Sequence, residues 1–297
     1  MHLPRSLVVA GSGPLYRLGM YHRVPIRIGR RILDSAGLVM RVPRGTVVQH
    51  VTLGARHAER VSVGATERPR AVLYLHGGGY SVGSARLYRA CAAHLAQASG
   101  AVVYTLDYRL APEHPFPAAL DDAVAAFHDL AVSQGYGAEH VAIAGDSAGG
   151  GLAVAAARVL VDAGTRPAAL ALMSPWTDPM DEDFLQSRDF VINVRWGRAS
   201  AAGYRRETDP RHPGFAPLHG RLDGLPPMLV HCSTAEMLHP QIIRFTDAVK
   251  QAGGDVHLTA RDDWWHSIHV LAGTLREASA AVEDVGAYLR ERWLKPF

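Results

Sequence analysis

The fold is indicated most clearly by Gly145-Asp-Ser-Ala-Gly149, which fits the pattern G-x-S-x-G. The apolar run at residues 141–144 before it predicts a buried strand, and the small residues from Gly150 onward predict a helix. The two glycines permit a sharp strand-to-helix turn that strains the backbone at Ser147 and exposes its hydroxyl. The helix start would point its free N–H groups at that oxygen. We therefore interpret Ser147 as a catalytic nucleophile rather than a turn serine.

A second motif, His76-Gly-Gly-Gly-Tyr80, directly follows an apolar run at residues 71–75. Consecutive glycines where a strand ends allow backbone N–H groups to approach an oxyanion closely. We predict that Gly78 and Gly79 donate hydrogen bonds to such an oxyanion, with the N–H of Ala148 as a third donor. A merely flexible loop is the alternative.

A serine nucleophile needs a base, and in this kind of sheet the order along the chain is serine, acid, histidine. His266 lies in the loop after the last predicted strand and is the candidate base, with His269 as the alternative. Glu236 is the carboxylate that follows the preceding strand, and we predict that it orients the imidazole. Its alternative role is to cap the next helix. The spacing of the two histidines would suit a metal, but no further ligands cluster there, so no metal is predicted.

Elsewhere short apolar runs alternate with helical patterns, which predicts an α/β fold with a parallel sheet and helices on both faces. Residues 1–45 and 178–213 break this alternation: both have weak helical periodicity, and the second has no strand pattern. We predict a catalytic domain over residues 46–177 and 214–297. Residues 1–45 and 178–213 are predicted to form a helical cap over the strand ends. A surface decoration without a role in the site is the alternative for residues 178–213.

Composition excludes several classes of protein. The 297 residues are 48% hydrophobic and 20% charged, which is typical of a globular domain. The net charge is +3 and the basic residues form no run, so no nucleic-acid partner is predicted. Cys91 and Cys232 cannot build a disulfide framework, and no signal-peptide core or membrane-length apolar run is present. We expect a cytoplasmic protein with no membrane span; a homodimer is compatible with the sequence, which does not fix an oligomeric state.

Five ordered motifs together resemble the hormone-sensitive-lipase-like esterases, which are bacterial esterase family IV in the α/β-hydrolase fold-3 group. The motifs are His76-Gly-Gly-Gly-Tyr80, Tyr108-Arg-Leu-Ala-Pro-Glu113, Gly145-Asp-Ser-Ala-Gly-Gly150, Ser174-Pro-Trp-Thr-Asp178 and Leu225-Pro-Pro-Met-Leu-Val230. The resemblance extends from about residue 46 to the C-terminus. It implies an α/β-hydrolase fold with a mostly parallel eight-stranded sheet and a helical cap. It also implies a carboxylic-ester hydrolase without a cofactor, whose oxyanion hole is Gly78, Gly79 and Ala148.

The chain departs from the family pattern near the acid and the histidine. Glu236 stands where many members have Asp. Trp264-Trp265 precedes His266 and Ser267-Ile268 follows it, where a His-Gly-Phe-like run is common in the family. The two indoles either narrow the substrate pocket or pack the loop. Tyr80 and Trp265 are our candidate substrate-binding residues.

The expected function is two-step hydrolysis of short-to-medium acyl or aromatic esters through an acyl-enzyme intermediate. A non-catalytic ligand-binding homologue, or an amidase, deacetylase or lactone hydrolase with the same triad, are the alternatives. Thiol chemistry at Cys232 lacks a nearby base in the sequence. No exposed apolar segment is evident, so we expect little activity at a lipid interface.

Overall fold

The computed structural model describes residues 2–65, 68–183 and 189–294. Its strands are β1 (Thr46–Leu53), β2 (Arg56–Val63), β3 (Ala71–Leu75), β4 (Val102–Leu106), β5 (Val141–Asp146), β6 (Leu170–Met173), β7 (Met228–Ser233) and β8 (Val256–Arg261). Its helices are α1 (Arg5–Gly19), α2 (Ile26–Ala36), α3 (Ala85–Ser99), α4 (Ala118–His128), α5 (Ala148–Asp162), α6 (Val194–Arg205), α7 (His239–Gln251) and α8 (Arg276–Leu294).

The eight strands form one sheet in the order β1-β2-β4-β3-β5-β6-β7-β8. β1 pairs with β2 and β2 with β4 in antiparallel register, and every other neighbouring pair is parallel. All residues of β3 and β4 are buried, as continuous apolar strands are when helices cover both faces of a sheet. The predicted α/β-hydrolase fold with a mostly parallel eight-stranded sheet is confirmed.

Two hydrophobic cores lie on opposite faces of this sheet. Side chains of α4, α5 and α7 pack into one core, and side chains of α3 and α8 pack into the other. The carboxyl ends of β3, β5, β7 and β8 meet at one edge between these layers, so the loops that follow them come together. The two sequence motifs around Gly78 and Ser147 are thereby brought side by side.

Three helices lie over that edge, and we call α1, α2 and α6 the cap helices. α1 packs against α2, and side chains from all three line a cavity that also contains Ser147. On α2, Arg30 donates to the carbonyl oxygens of Ser81 and Ala111 and forms an ion pair with Glu113 at 2.8 Å. The division into a catalytic domain and a cap remains a prediction, and residues 184–188 of the predicted cap lie outside the described residues.

The surface of the first 45 residues contradicts the expectation that the chain has no exposed apolar segment. Large apolar side chains are exposed there in unusual number, Val39 being 81% and Leu38 61% exposed. The sequence pattern concealed them because α1 and α2 present inner apolar residues to the cap cavity and outer ones to solvent. Within the described ranges, no helix is long and apolar enough to cross a membrane.

Candidate active site

Ser147 lies at the turn between β5 and α5 in a strained backbone conformation, with φ of 51° and ψ of −122°. Its N–H donates to the carbonyl oxygen of Met173 at 2.9 Å, which fixes the turn against β6. A Cβ on Gly149 would overlap the carbonyl oxygen of Leu75, and a Cβ on Gly145 would overlap that of Gly149. Helix α5 begins at Ala148, two residues earlier than the sequence suggested, so its first N–H groups lie directly beside the serine.

The glycine-rich loop after β3 adopts backbone conformations that favour glycine. φ is 112° at Gly78 and 59° at Gly79. A Cβ on Gly78 would overlap the carbonyl oxygen of Val82, and one on Gly79 would lie 2.8 Å from Cη2 of Trp196. Within the described residues, the N–H groups of Gly78 and Gly79 donate to no acceptor of the protein itself. These two groups are therefore available to a ligand in the cavity.

Asp146 holds the glycine-rich loop to the serine turn. It is buried, and its carboxylate accepts hydrogen bonds from the N–H of Gly77 at 2.8 Å, the hydroxyl of Tyr88 at 2.9 Å and that of Tyr74 at 3.2 Å. Burial raises the pKa of Asp146 above its usual range, although these donors act in the opposite direction. The contacts support a bracing role for this carboxyl group.

Glu236 is buried in the loop after β7, before the first turn of α7. Its Oε2 accepts hydrogen bonds from the hydroxyl of Ser174 at 2.6 Å and from the N–H of Ser233 at 3.2 Å. The Ser174 hydroxyl oxygen in turn accepts from the N–H of Ser267 at 3.1 Å. Ser174 thus connects the acid loop with the histidine loop, a role that the sequence did not predict, although Ser174 begins one of the family motifs.

His266 is 3% exposed, and its Nδ1 lies 3.7 Å from Oε2 of Glu236. That separation is within reach of an ion pair and longer than a hydrogen bond. Burial alone would lower the pKa of His266, but the carboxylates of Glu236, Asp189 and Asp146 together outweigh burial, so the pKa is raised above its ordinary value. A buried histidine beside a buried carboxylate can accept a proton and hold it as imidazolium.

His269, the alternative base, is placed differently. Its Nε2 lies 3.0 Å from Nδ1 of His231, whose Nε2 lies 2.9 Å from a carboxylate oxygen of Asp284. Burial lowers the pKa of His269 well below its ordinary value, and the neighbouring histidines lower it further. His269 does not line the cavity that contains Ser147. Its contacts favour a packing role beneath the histidine loop.

Two cavities meet at Ser147 and Gly79. The histidine-side cavity, about 560 Å³ including the space open to solvent, also contains His266 and the cap residues Tyr16 and Leu33. The methionine-side cavity, about 420 Å³ on the same basis, is lined by Trp176, Pro179, Val194, Met237 and Leu238. Ile192 and Trp196 line both cavities and therefore separate them.

The two candidate substrate-binding residues lie elsewhere. Tyr80 is 1% exposed and stacks on Tyr204 with ring centroids 3.9 Å apart, and it lines neither cavity. Trp265 packs against Phe190 and beneath the guanidinium of Arg5, in a third pocket that Glu236 and His266 also line but Ser147 does not. Their placement favours packing of the loops. Trp196, which lies instead at the junction of the two cavities, belongs to no motif and was not predicted from the sequence.

The described residues also bear on metal binding and on thiol chemistry. Among residues 2–65, 68–183 and 189–294, no group of three or more His, Cys, Asp or Glu side chains could hold a metal ion. Cys232 is buried, and burial raises the pKa of its thiol, which disfavours the nucleophilic thiolate.

Comparison with known proteins agrees with the fold and the motifs. A family of proteins with the alpha/beta hydrolase fold matches residues 72–270. An acetyl-hydrolase from Streptomyces hygroscopicus is 42% identical over 271 residues, which is 90% of this chain and 89% of that protein. The structure of an esterase from the bacterial hormone-sensitive lipase family is 34% identical and superposes with a TM-score of 0.90 over 98% of this chain and all of that one. The esterase EstE5, in a crystal soaked with p-nitrophenyl butyrate, is 33% identical, with a TM-score of 0.88 over 97% of this chain and 99% of its own.

Proposed function

Because this chain belongs to the bacterial hormone-sensitive-lipase family of α/β-hydrolase-fold esterases, we propose that it is a serine carboxylesterase for short-to-medium acyl or aromatic esters. Esterase or acetyl-hydrolase activity follows from the family; the residues and the substrate range are our proposal. The observation that carries it is the cavity shared by Ser147, the glycine-rich loop and His266. All of these residues line that one cavity, which supports their proposed roles as nucleophile, oxyanion donors and base.

In the proposed reaction, Ser147 attacks the ester carbonyl while His266 removes the proton from its hydroxyl. The N–H groups of Gly78, Gly79 and Ala148 stabilise the oxyanion; loss of one such donor typically costs about 3 kcal/mol of barrier lowering. His266 then protonates the departing alcohol, and an acyl-enzyme remains on Ser147. Water, activated by His266, releases the acid and restores the serine. Glu236 stabilises the imidazolium throughout.

The two cavities support separate subsites for the two halves of an ester. The alcohol oxygen must receive a proton from His266, so the alcohol belongs in the histidine-side cavity, where that residue lies. The acyl chain then occupies the methionine-side cavity, between Trp176 and Met237. That cavity is apolar and limited in volume, which supports short-to-medium acyl groups.

The relatives support the same range. One is named an acetyl-hydrolase, and another has been soaked with p-nitrophenyl butyrate. We therefore expect activity on acetyl and butyryl esters to exceed activity on long-chain esters. Residues 1–45 and 178–213, as the proposed cap, would set this limit by closing both cavities.

A series of p-nitrophenyl esters from acetate to palmitate tests the proposal. Wild-type enzyme should turn over the acetate and butyrate fastest, and Ser147→Ala should lose hydrolysis of every ester by several orders of magnitude. Hydrolysis that survives in Ser147→Ala would refute the nucleophile. A ligand-binding homologue would show no turnover, and an amidase or lactone hydrolase would prefer a matched anilide or lactone to the ester.

A further inference from the structure

The exposed side of the first 45 residues has an unusual concentration of large apolar side chains. Thirteen such side chains are largely exposed in the described part of the chain, and eight of them lie between residues 3 and 42. These eight are Leu3, Leu7, Leu18, Tyr21, Ile28, Leu38, Val39 and Val42. Two more, Met180 and Val194, lie in or beside the second cap segment. Apolar groups in contact with water at this density mark an interaction surface.

The same 45 residues are strongly basic. They contain eight arginines and one acidic residue, Asp34, so they carry a net charge of +7, whereas the whole chain carries +3. Arg30 is occupied by Glu113, as described above. Arg5 and Arg41 are exposed, but both also have partners, Arg5 with the carbonyl oxygen of Asp263 and the ring of Trp265. The exposed arginines on which the surface depends are Arg17, Arg23, Arg27, Arg31 and Arg44. We call the exposed side of residues 3–44 the outer cap face.

The helices of this layer are two-sided. On α2, Gly29 and Leu33 are buried, while Arg27, Ile28 and Arg31 are exposed. Leu33 lines the histidine-side cavity, so the inner side of the layer faces the candidate active site. The outer side mixes guanidinium groups with leucine, isoleucine and valine. That mixture is typical of helices that lie in the interface between lipid headgroups and acyl chains.

We propose that the outer cap face docks on an anionic lipid surface. Five exposed arginines, Arg17, Arg23, Arg27, Arg31 and Arg44, complement phosphate headgroups, and the exposed leucine and valine side chains would insert at the boundary of the acyl region. A nucleic acid would satisfy the arginines but would leave the apolar side chains in water. A second copy of this face would set its exposed arginines against those of the first copy, which disfavours self-association through it.

Docking would bring the cap helices, whose inner side lines the histidine-side cavity, close to a bilayer, where apolar esters accumulate. Only this consequence rests on the proposed esterase function. Binding itself is measured without turnover, so failure to bind and failure to hydrolyse are separate results.

Co-sedimentation of the full-length chain with vesicles tests the proposal. Vesicles of phosphatidylcholine with 30% phosphatidylglycerol should bind the protein at least about tenfold more strongly than phosphatidylcholine alone, and high salt should weaken that binding. Arg27→Glu/Arg31→Glu should lose at least about tenfold in partitioning. Leu38→Ser/Val39→Ser should also bind the vesicles more weakly than wild type. Neither residue lines the two cavities, so the candidate active site is unchanged in this variant.

Lys250→Glu/Arg290→Glu is the matched control. Lys250 lies near the end of α7 and Arg290 near the end of α8. The end of α8 is close to the start of β3, because Arg70, which directly precedes β3, lies over Trp293. Lys250 and Arg290 therefore lie at the edge of the sheet opposite the cap. The control should bind like wild type, and all variants should keep wild-type unfolding temperature and p-nitrophenyl butyrate turnover. Equal binding to both vesicle types, equal loss in the control, or a wild-type dimer that dissociates in the cap variants would each overturn the proposal.

Discussion

The serine turn and glycine-rich loop, which we call the catalytic floor, contrast with the outer cap face. The floor is buried and tightly packed, and the Asp146 carboxylate, which accepts from Gly77, Tyr88 and Tyr74, holds it together. The outer cap face is exposed, basic and apolar, and a Cβ added to Gly11 of α1 would meet no atom within 4 Å. One region is shaped to hold a few atoms in fixed positions, and the other is shaped to meet a large and variable surface.

The contrast shows where the constraints on each region arise. In the floor, backbone atoms of neighbouring loops approach so closely that only glycine fits, and a short motif therefore reports the structure. In the outer cap face, exposed side chains have few protein neighbours, so many different sequences would be compatible with the same helices. Substitutions in the floor should therefore change activity or stability more than substitutions in the outer cap face.

Removal of the candidate acid should have the largest effect among the positioning groups. Glu236→Gln should lower kcat by roughly 10⁴-fold, because the imidazolium loses its counter-charge. The carboxylate raises the pKa of His266, and activity requires neutral His266, so wild-type activity should fall as pH drops through that raised pKa. Without the charge, burial dominates, and the acid limb of the residual activity should move to lower pH.

Asp262→Asn is the control for that variant, since Asp262 is an exposed carboxylate in the histidine loop. It should remain within about twofold of wild type. Near-full activity in Glu236→Gln would mean that another residue is the acid.

The two regions also differ in how much of their structure could be predicted from the sequence. The positions of Ser147, Glu236 and His266 in loops that follow strands of a parallel sheet could be predicted, because strand ends and glycine turns leave local signals. Their catalytic roles remain predictions. The contact from Ser174 to Glu236 could not be predicted, because it joins residues 62 positions apart through a single hydroxyl. Tyr80 lies next to the oxyanion loop in sequence, yet its side chain turns away to stack on Tyr204.

The cap was the least predictable part. Helical periodicity indicated helices in residues 1–45, but not which side would face the cavity. The side that faces solvent depends on how α1 and α2 pack on each other and on loops more than 40 residues away, such as that of Ser81 and Ala111.

A methyl group added at Gly149, in the floor, should destabilise the protein. Gly149→Ala should reduce the free energy of unfolding by roughly 3 kcal/mol, because the added Cβ overlaps the carbonyl oxygen of Leu75 and the turn must shift. Urea denaturation at constant m-value measures the change. A variant as stable as wild type would show that the turn is not as tightly packed as described.

The contact between floor and cap should matter at an intermediate level. Arg30→Ala removes the guanidinium that joins α2 to the carbonyls of Ser81 and Ala111 and to Glu113. We expect kcat/KM for p-nitrophenyl butyrate to fall by about tenfold, because hydrogen bonds to a charged group typically contribute about 1.5–3 kcal/mol and this site is half-exposed. The exposed neighbour Arg31→Ala should change kcat/KM by less than about twofold, and an equal fall in both variants would contradict the specific contact.

A methyl group added at Gly11, in the cap, should change the free energy of unfolding least and should increase it. Gly11→Ala lies inside α1 with open space around the new Cβ, so it should stabilise the protein by about 0.5–1 kcal/mol through helix propensity. Denaturant unfolding beside Gly149→Ala gives the comparison directly. Destabilisation by Gly11→Ala would show that this side of α1 is covered.

Covalent labelling with a fluorophosphonate, followed by mass spectrometry of the digested protein, identifies the nucleophile without any assumption about the substrate. Wild-type enzyme should lose esterase activity as one label is incorporated, and the label should map to Ser147. Ser147→Ala should incorporate none while keeping its unfolding temperature. A label on another serine, or full activity in the labelled enzyme, would contradict the assignment of Ser147 as the nucleophile.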